Sequence, residues 1–154
     1  MRSSVVWFYQ EVARRIGAER MQDFIDRVGY GNRDIGGGID LFWLSGNLRI
    51  TPRQQVEFLK RLHDGDLPFS SRSIATVRDI MVVERTNEHI LRGKTGWADQ
   101  DGRSIGWFVG YLERGNEVYL FANCLDMRSE KDASLRLGIT RAILQDLGLI
   151  ERPD

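Results

Sequence analysis

Apolar residues recur three and four positions apart along the first 28 residues. Val5, Phe8, Tyr9, Val12 and Ile16 form one stripe, with Arg14 and Arg15 on its other side, and Met21, Phe24, Ile25 and Val28 form a second. That spacing predicts two short amphipathic helices, stopped at Gly17 and Gly29. Residues 29–40, GYGNRDIGGGID, are too rich in glycine for helix or strand and read as a loop. LFWLSGNLRI then reads as compact, apolar, irregular structure. Thr51-Pro52 opens a helix: threonine can cap, proline suits the first helical position, and Gln54 completes a capping box. Its apolar face is Val56, Leu59 and Leu62, and Gly65 closes it. A further helix starts at Ser70 or Ser71, with Ile74, Val77, Ile80 and Met81 facing inward.

From Glu88 onward the period changes to two. Residues 89–95 read as a strand. Ile105, Trp107, Val109 and Tyr111 alternate with Gly106, Phe108, Gly110 and Leu112 as a second strand, and Arg114-Gly115-Asn116 is a turn. Val118 to Leu125 is nearly all apolar, which predicts a central strand buried on both faces. Leu135, Ile139, Ile143, Leu144 and Leu147 mark a closing helix ended by Gly148. Helices, then three strands able to pair antiparallel, then a helix make an α+β plan. The 154 residues suit one domain, with 1–87 mostly helical and 88–154 carrying the sheet and the last helix.

Charge removes some partners. Twenty-two basic residues balance 22 acidic ones, so no strong field favours nucleic acid or an anionic membrane. The apolar runs are too short to span a bilayer, and Met1-Arg2-Ser3-Ser4 leads into a helix without a signal-peptide pattern. Cys124 cannot form an internal disulfide and reads as a small core residue on its apolar strand. His63 and His89 lack partners at ligand spacing, so neither a metal nor another cofactor is expected.

The candidate chemistry starts at Gly93-Lys94-Thr95, which looks like the tail of a phosphate loop. Such a loop needs its first glycine where Glu88 stands, and a helix after the threonine. Residues 89–92 are strand-like and a turn follows Gly96, so a nucleotide site is excluded. Lys94-Thr95-Gly96 in a strand next to a hairpin fits a carboxylate instead. An ammonium and a hydroxyl projecting on one side of an edge strand can hold the acid group, and glycine admits a ligand close to the backbone. Taken alone, the tripeptide reads first as a solvated edge-strand lysine beside an unremarkable Thr-Gly.

Other segments repeat that theme in order. Ser4-Val5-Val6, Tyr30-Gly31-Asn32, GGIDLFWLSGNLRI at 37–50, Lys94-Thr95-Gly96-Trp97, GWFVGYLE at 106–113 and LRLGI at 135–139 together resemble the class D (oxacillinase-type) β-lactamases and the related penicillin-sensor domains. The likeness runs from about residue 1 to about residue 150. It implies the β-lactamase/penicillin-binding-protein fold, an antiparallel sheet with flanking helices and a helical lobe. It also implies hydrolysis of β-lactams through an acyl-enzyme, with no cofactor or metal, and a periplasmic location. The alternatives are a penicillin-sensing receptor domain that is acylated without turnover, and an interaction protein that kept only the scaffold.

By that resemblance Ser4 lies on the proton route to the lactam nitrogen, although a serine there equally caps the first helix. Lys94 biases proton transfer near Ser4 and helps form the carboxylate site. Thr95 hydrogen-bonds the substrate carboxylate, Gly96 lets it approach, and Arg136 is its second anchor. The Trp97 backbone N–H supplies half of an oxyanion hole. Val6, Trp43 and Leu44 form the apolar wall around a carboxylated lysine base, and each also serves as plain packing. Tyr30 and Asn32 shape the cleft wall, chiefly as structural residues. The family's nucleophile and base come from Ser-x-x-Lys, and no serine among the 154 residues has a lysine three positions on. The expectation is therefore a C-terminal portion of such a domain, inactive alone. Its partners would be a β-lactam and, through exposed apolar surface, either the remaining N-terminal portion or a second copy.

Overall fold

The computed structural model describes residues 5–100 and 102–152, apart from the Gln100 side chain. Five α-helices and four strands follow in the order α1 Val6–Ile16, α2 Ala18–Val28, α3 Pro52–Asp64, α4 Ser71–Ile80, β1 Val82–Arg85, β2 Ile90–Gln100, β3 Arg103–Arg114, β4 Glu117–Asp126 and, after a 3-10 turn, α5 Leu135–Asp146. The sheet is antiparallel in chain order, β1-β2-β3-β4. This is the expected α+β plan.

The local signals act as predicted at α3 and at the start of α4, whereas α1 starts from Val5 with no side-chain cap. Thr51 caps α3 with both halves of the capping box formed around Gln54, and Pro52 stands at the first position. Ser70 caps α4 by accepting from the Ser73 amide. Gly29 and Gly65 end α2 and α3 in the left-handed conformation. Gly31 also has positive φ, and a Cβ there would come within 2.2 Å of the Arg49 carbonyl oxygen. The glycine in Tyr30-Gly31-Asn32 is therefore fixed by backbone approach.

Two cores lie on opposite sheet faces. Val28, Leu59, Leu62, Leu67, Ile74, Met81 and Tyr111 join α2, α3 and α4 to one face. Leu91, Leu112, Leu144 and Ile150 join α5 to the other. The fully buried Tyr111 and Leu112 are neighbours on β3 facing opposite ways, as strand alternation demands.

Several expectations are corrected. A fourth strand, β1, falls inside the 1–87 stretch expected to be mostly helical. Its four residues are too few to show a period. The strand of Lys94 does not end at Thr95 but runs to Gln100. β4 is an outer strand, not the central one, and none of its residues is fully buried. Its apolar residues are half-buried because α3 and α5 cover the two faces only in part. Ile80 is exposed, not inward. On α5 the side chains that meet the core are Thr140 and Leu144, whereas Leu135, Ile139, Ile143 and Leu147 face outward. Both sides of that helix carry apolar residues, so periodicity alone points to either one.

Candidate active site

β1 pairs only with residues 90–92 of β2, and the last contact on that side is the Gly93 amide donating to the Met81 carbonyl at 2.8 Å. Beyond it, residues 94–98 have β3 on one side and an open edge on the other. Backbone groups alternate in direction along a strand. The direction of the Gly93 N–H therefore carries the amides of Thr95 and Trp97 to the same open edge. That is the orientation an oxyanion-hole donor at Trp97 needs.

A cavity of about 640 Å³ lies against this edge. Lys94, Thr95, Gly96, Trp97 and Ala98 form one wall, together with Ile105, Trp107 and Val109 of β3. Val6 of α1 and Trp43 and Leu44 of the irregular segment line it too, as do Tyr30 and Gln55. The irregular segment holds its shape because Phe42 is buried and meets the Trp43 ring edge-on at 4.9 Å. α1 is tied to the same segment by Gln10, which donates to the Asp40 carbonyl at 3.3 Å, and by Arg14, which pairs with the Asp40 carboxylate at 2.5 Å.

Lys94 and Thr95 do not share one side of the strand, contrary to expectation. In register, Lys94 faces Val109 on the cavity face and Thr95 faces Phe108 on the α5 face. Adjacent strand residues must point apart. Both reach the cavity because the edge between them is open. Arg136 arrives from the α5 side. Its Nη1 donates to the Gly96 carbonyl at 2.6 Å, its Nε donates to the Ala133 carbonyl at 2.9 Å, and its guanidinium carbon lies 5.9 Å from the Trp97 ring centre. The Trp97 indole N–H in turn donates to the Ser104 hydroxyl at 2.5 Å. Arg136 is thus held at the backbone of the cavity wall without lining the cavity itself.

Two cations crowd this spot. Burial, and secondarily the positive charge of Arg136, push the Lys94 pKa below that of an ordinary lysine. The Lys94 ammonium donates to the Thr95 carbonyl at 2.5 Å. Burial also lowers the pKa of Arg136. An anion placed between them would relieve both effects.

The remaining predicted residues divide. Tyr30 lines the cavity, but its hydroxyl donates to Gln55 at 2.7 Å, and burial raises its pKa to about 12. Such a hydroxyl is a packing group rather than an acid. Asn32 is exposed and does not line the cavity. Its side chain clips the loop by accepting from the Arg49 and Asp34 amides and donating to the Asn47 carbonyl. Ser4 lies outside the described residues. Cys124, expected in the core, is exposed and lines the cavity beside Trp107, its register partner, because that part of the sheet face opens into the cavity. Gln55, Ile105, Trp107 and Cys124 were missed as wall residues. For the two on β3 the signal was present, since they alternate in step with Tyr111. Among the described residues no group of His, Cys, Asp or Glu could hold a metal, and no helix is long and apolar enough to cross a membrane.

Comparison with known proteins identifies the family and the fold. The family model of the penicillin binding protein transpeptidase domain matches residues 1–145. The chain is 39% identical over 150 residues to β-lactamase OXA-48 of Klebsiella pneumoniae, covering 97% of this chain and 57% of that protein. It is 40% identical to a probable β-lactamase, YbxI, of Bacillus subtilis, covering 97% and 54%. Among solved structures, a class D β-lactamase YbXI from Nostoc superposes with a TM-score of 0.93 at 57% identity, over 97% of this chain and 63% of that one. FUS-1 (OXA-85), a class D β-lactamase from Fusobacterium nucleatum, gives 0.93 at 40% identity, over 96% and 62%. The chain belongs to the penicillin-binding protein transpeptidase domain family, and within it to the class D, oxacillinase-type β-lactamase lineage. It corresponds to the C-terminal part of those structures and spans little more than half the length of the curated relatives it matches.

Proposed function

We propose that this chain forms the substrate-carboxylate and oxyanion half of a serine β-lactamase site. The observation that carries the reading is the open edge at 94–98, where an ammonium, a hydroxyl and an outward amide meet a largely apolar cavity, with a guanidinium held at Gly96. Arg136 and Thr95 bind the acid group of a β-lactam by charge-assisted hydrogen bonds. The Trp97 N–H receives the lactam carbonyl oxygen as negative charge develops on it. Lys94, its pKa already lowered, passes a proton toward Ser4 and the departing nitrogen. Val6, Trp43 and Leu44 keep water from the space opposite. There a lysine amine stays neutral by desolvation and can be carboxylated to serve as base.

The nucleophilic serine and that lysine are not present as Ser-x-x-Lys in the 154 residues, so the hydrolytic step needs both from elsewhere. The names of the relatives favour hydrolysis over penicillin sensing. A role in resistance and a periplasmic location belong to the same proposal. The test is binding of benzylpenicillin against its methyl ester, read by tryptophan fluorescence. The acid should bind about tenfold more tightly, the worth of one charged hydrogen bond. Equal affinity for acid and ester would sink the carboxylate site.

A further inference from the structure

We infer that Asn123 on β4 is a positioning residue for the Arg136 guanidinium, and that Gly106 on β3 provides the slot its stem occupies. This rests on the carboxylate-anchor reading of Arg136. The Asn123 side-chain amide donates to the Arg136 backbone carbonyl at 2.9 Å and to the Thr140 hydroxyl at 3.1 Å. The Thr140 hydroxyl, on a buried residue, donates to that same carbonyl at 3.0 Å. Two side-chain donors from two elements thus converge on one peptide group in the first turn of α5. They fix where the helix starts relative to β4, and so where the Arg136 Cα sits.

Gly106 acts on the rest of the side chain. It faces Trp97 across the β2–β3 register and Leu125 across β3–β4. A Cβ at 106 would come within 2.9 Å of the Arg136 Cδ and 2.5 Å of the Met127 sulfur. The arginine stem therefore lies directly over the glycine. Any side chain at 106 must displace it from a path that ends at the Gly96 and Ala133 carbonyls.

This bracing bears on recognition for a physical reason. An arginine side chain has many rotamers to lose, and a planar fork that is already held loses fewer of them on binding. Two of its five donors are engaged by carbonyls, which sets the plane, and donors remain for a carboxylate. Asn123 and Thr140 touch no substrate in this account. They act through Arg136.

The experiment joins two readouts on the 154-residue chain. The first is solvent exchange of the Arg136 Nε–H, followed by NMR in Asn123→Ala and Gly106→Ala. Each substitution is expected to speed exchange about fivefold, the worth of one neutral hydrogen bond. Asn123→Ser, a donor of shorter reach, should fall between, and circular dichroism reports whether each variant folds. Unchanged exchange in the folded variants overturns the positioning role. The second readout is benzylpenicillin affinity in a double-mutant cycle. Asn123→Ala should weaken binding about fivefold in the native background and have no further effect beside Arg136→Ala. An equal loss in both backgrounds means a general structural role and also overturns the inference. If Arg136→Ala itself binds benzylpenicillin normally, the carboxylate-anchor reading fails instead, and the exchange rates still decide the positioning.

Discussion

Arg136 reaches back 40 residues to hold the Gly96 carbonyl oxygen at 2.6 Å. This contact joins the first turn of α5 to the 94–98 stretch of β2, bringing the second cation of the site to the strand that bears the first. Arg136→Ala is expected to raise the Lys94 pKa toward that of an ordinary lysine, because the repulsion between them is lost. The Lys94 Cε chemical shift, followed against pH, reads this. An unmoved midpoint would show that the two charges do not communicate.

The same shift predicts how stability varies with pH. The folded-state pKa of Lys94 lies below its unfolded value. Just below the usual lysine range the folded chain therefore binds fewer protons than the unfolded one. Its stability should rise as pH climbs through that window. Urea denaturation across the alkaline range checks the sign, and Lys94→Met should flatten the rise. A fall with pH that Lys94→Met removes would contradict the lowered pKa.

Hydrolysis should be absent. A chromogenic cephalosporin mixed with the purified 154 residues is expected to keep its colour, since Ser-x-x-Lys is not in the sequence. Measurable turnover would show that another group supplies the nucleophile.

Gly93 and Gly110 face each other across β2 and β3. A Cβ at 110 would come within 2.0 Å of the Arg92 carbonyl oxygen and 2.7 Å of the Gly93 Cα, and one at 93 would strike the Phe108 ring. Gly110→Ala should cost about 1–3 kcal/mol by overpacking. Thermal unfolding of the variant measures it, and a neutral result would mean the sheet yields there without strain.

The outward stripe of α5, led by Leu147 at 66% and Ile143 at 53% exposure, should make the chain self-associate as concentration rises. Sedimentation velocity should show larger species that shrink when Ile143 and Leu147 are both changed to Lys. Unchanged species would move the contact elsewhere, for example to the exposed Trp7 and Phe8 of α1.

What the sequence discloses follows the range of each signal. The α3 cap is local, and Thr51, Pro52 and Gln54 declare it. The wall of Val6, Trp43 and Leu44 is long-range, and only ordered motifs brought it to Lys94. Strand order leaves no mark on composition. Val118 to Leu125 is apolar enough for a centre strand, yet β4 lies outermost and Cys124 comes to the surface. The bracing of Arg136 was not legible, because Asn123, Gly106 and Thr140 carry no shared pattern and meet only when three elements pack.

β1 is too short to cover β2 beyond Gly93. Its growth toward residue 94 is halted where α4 gives way at Met81, the last residue to bond across to Gly93. The length of a helix thus sets the width of a window in a sheet. Uncoil one more turn of α4 into extended chain, and the sheet could zip shut over its own doorway.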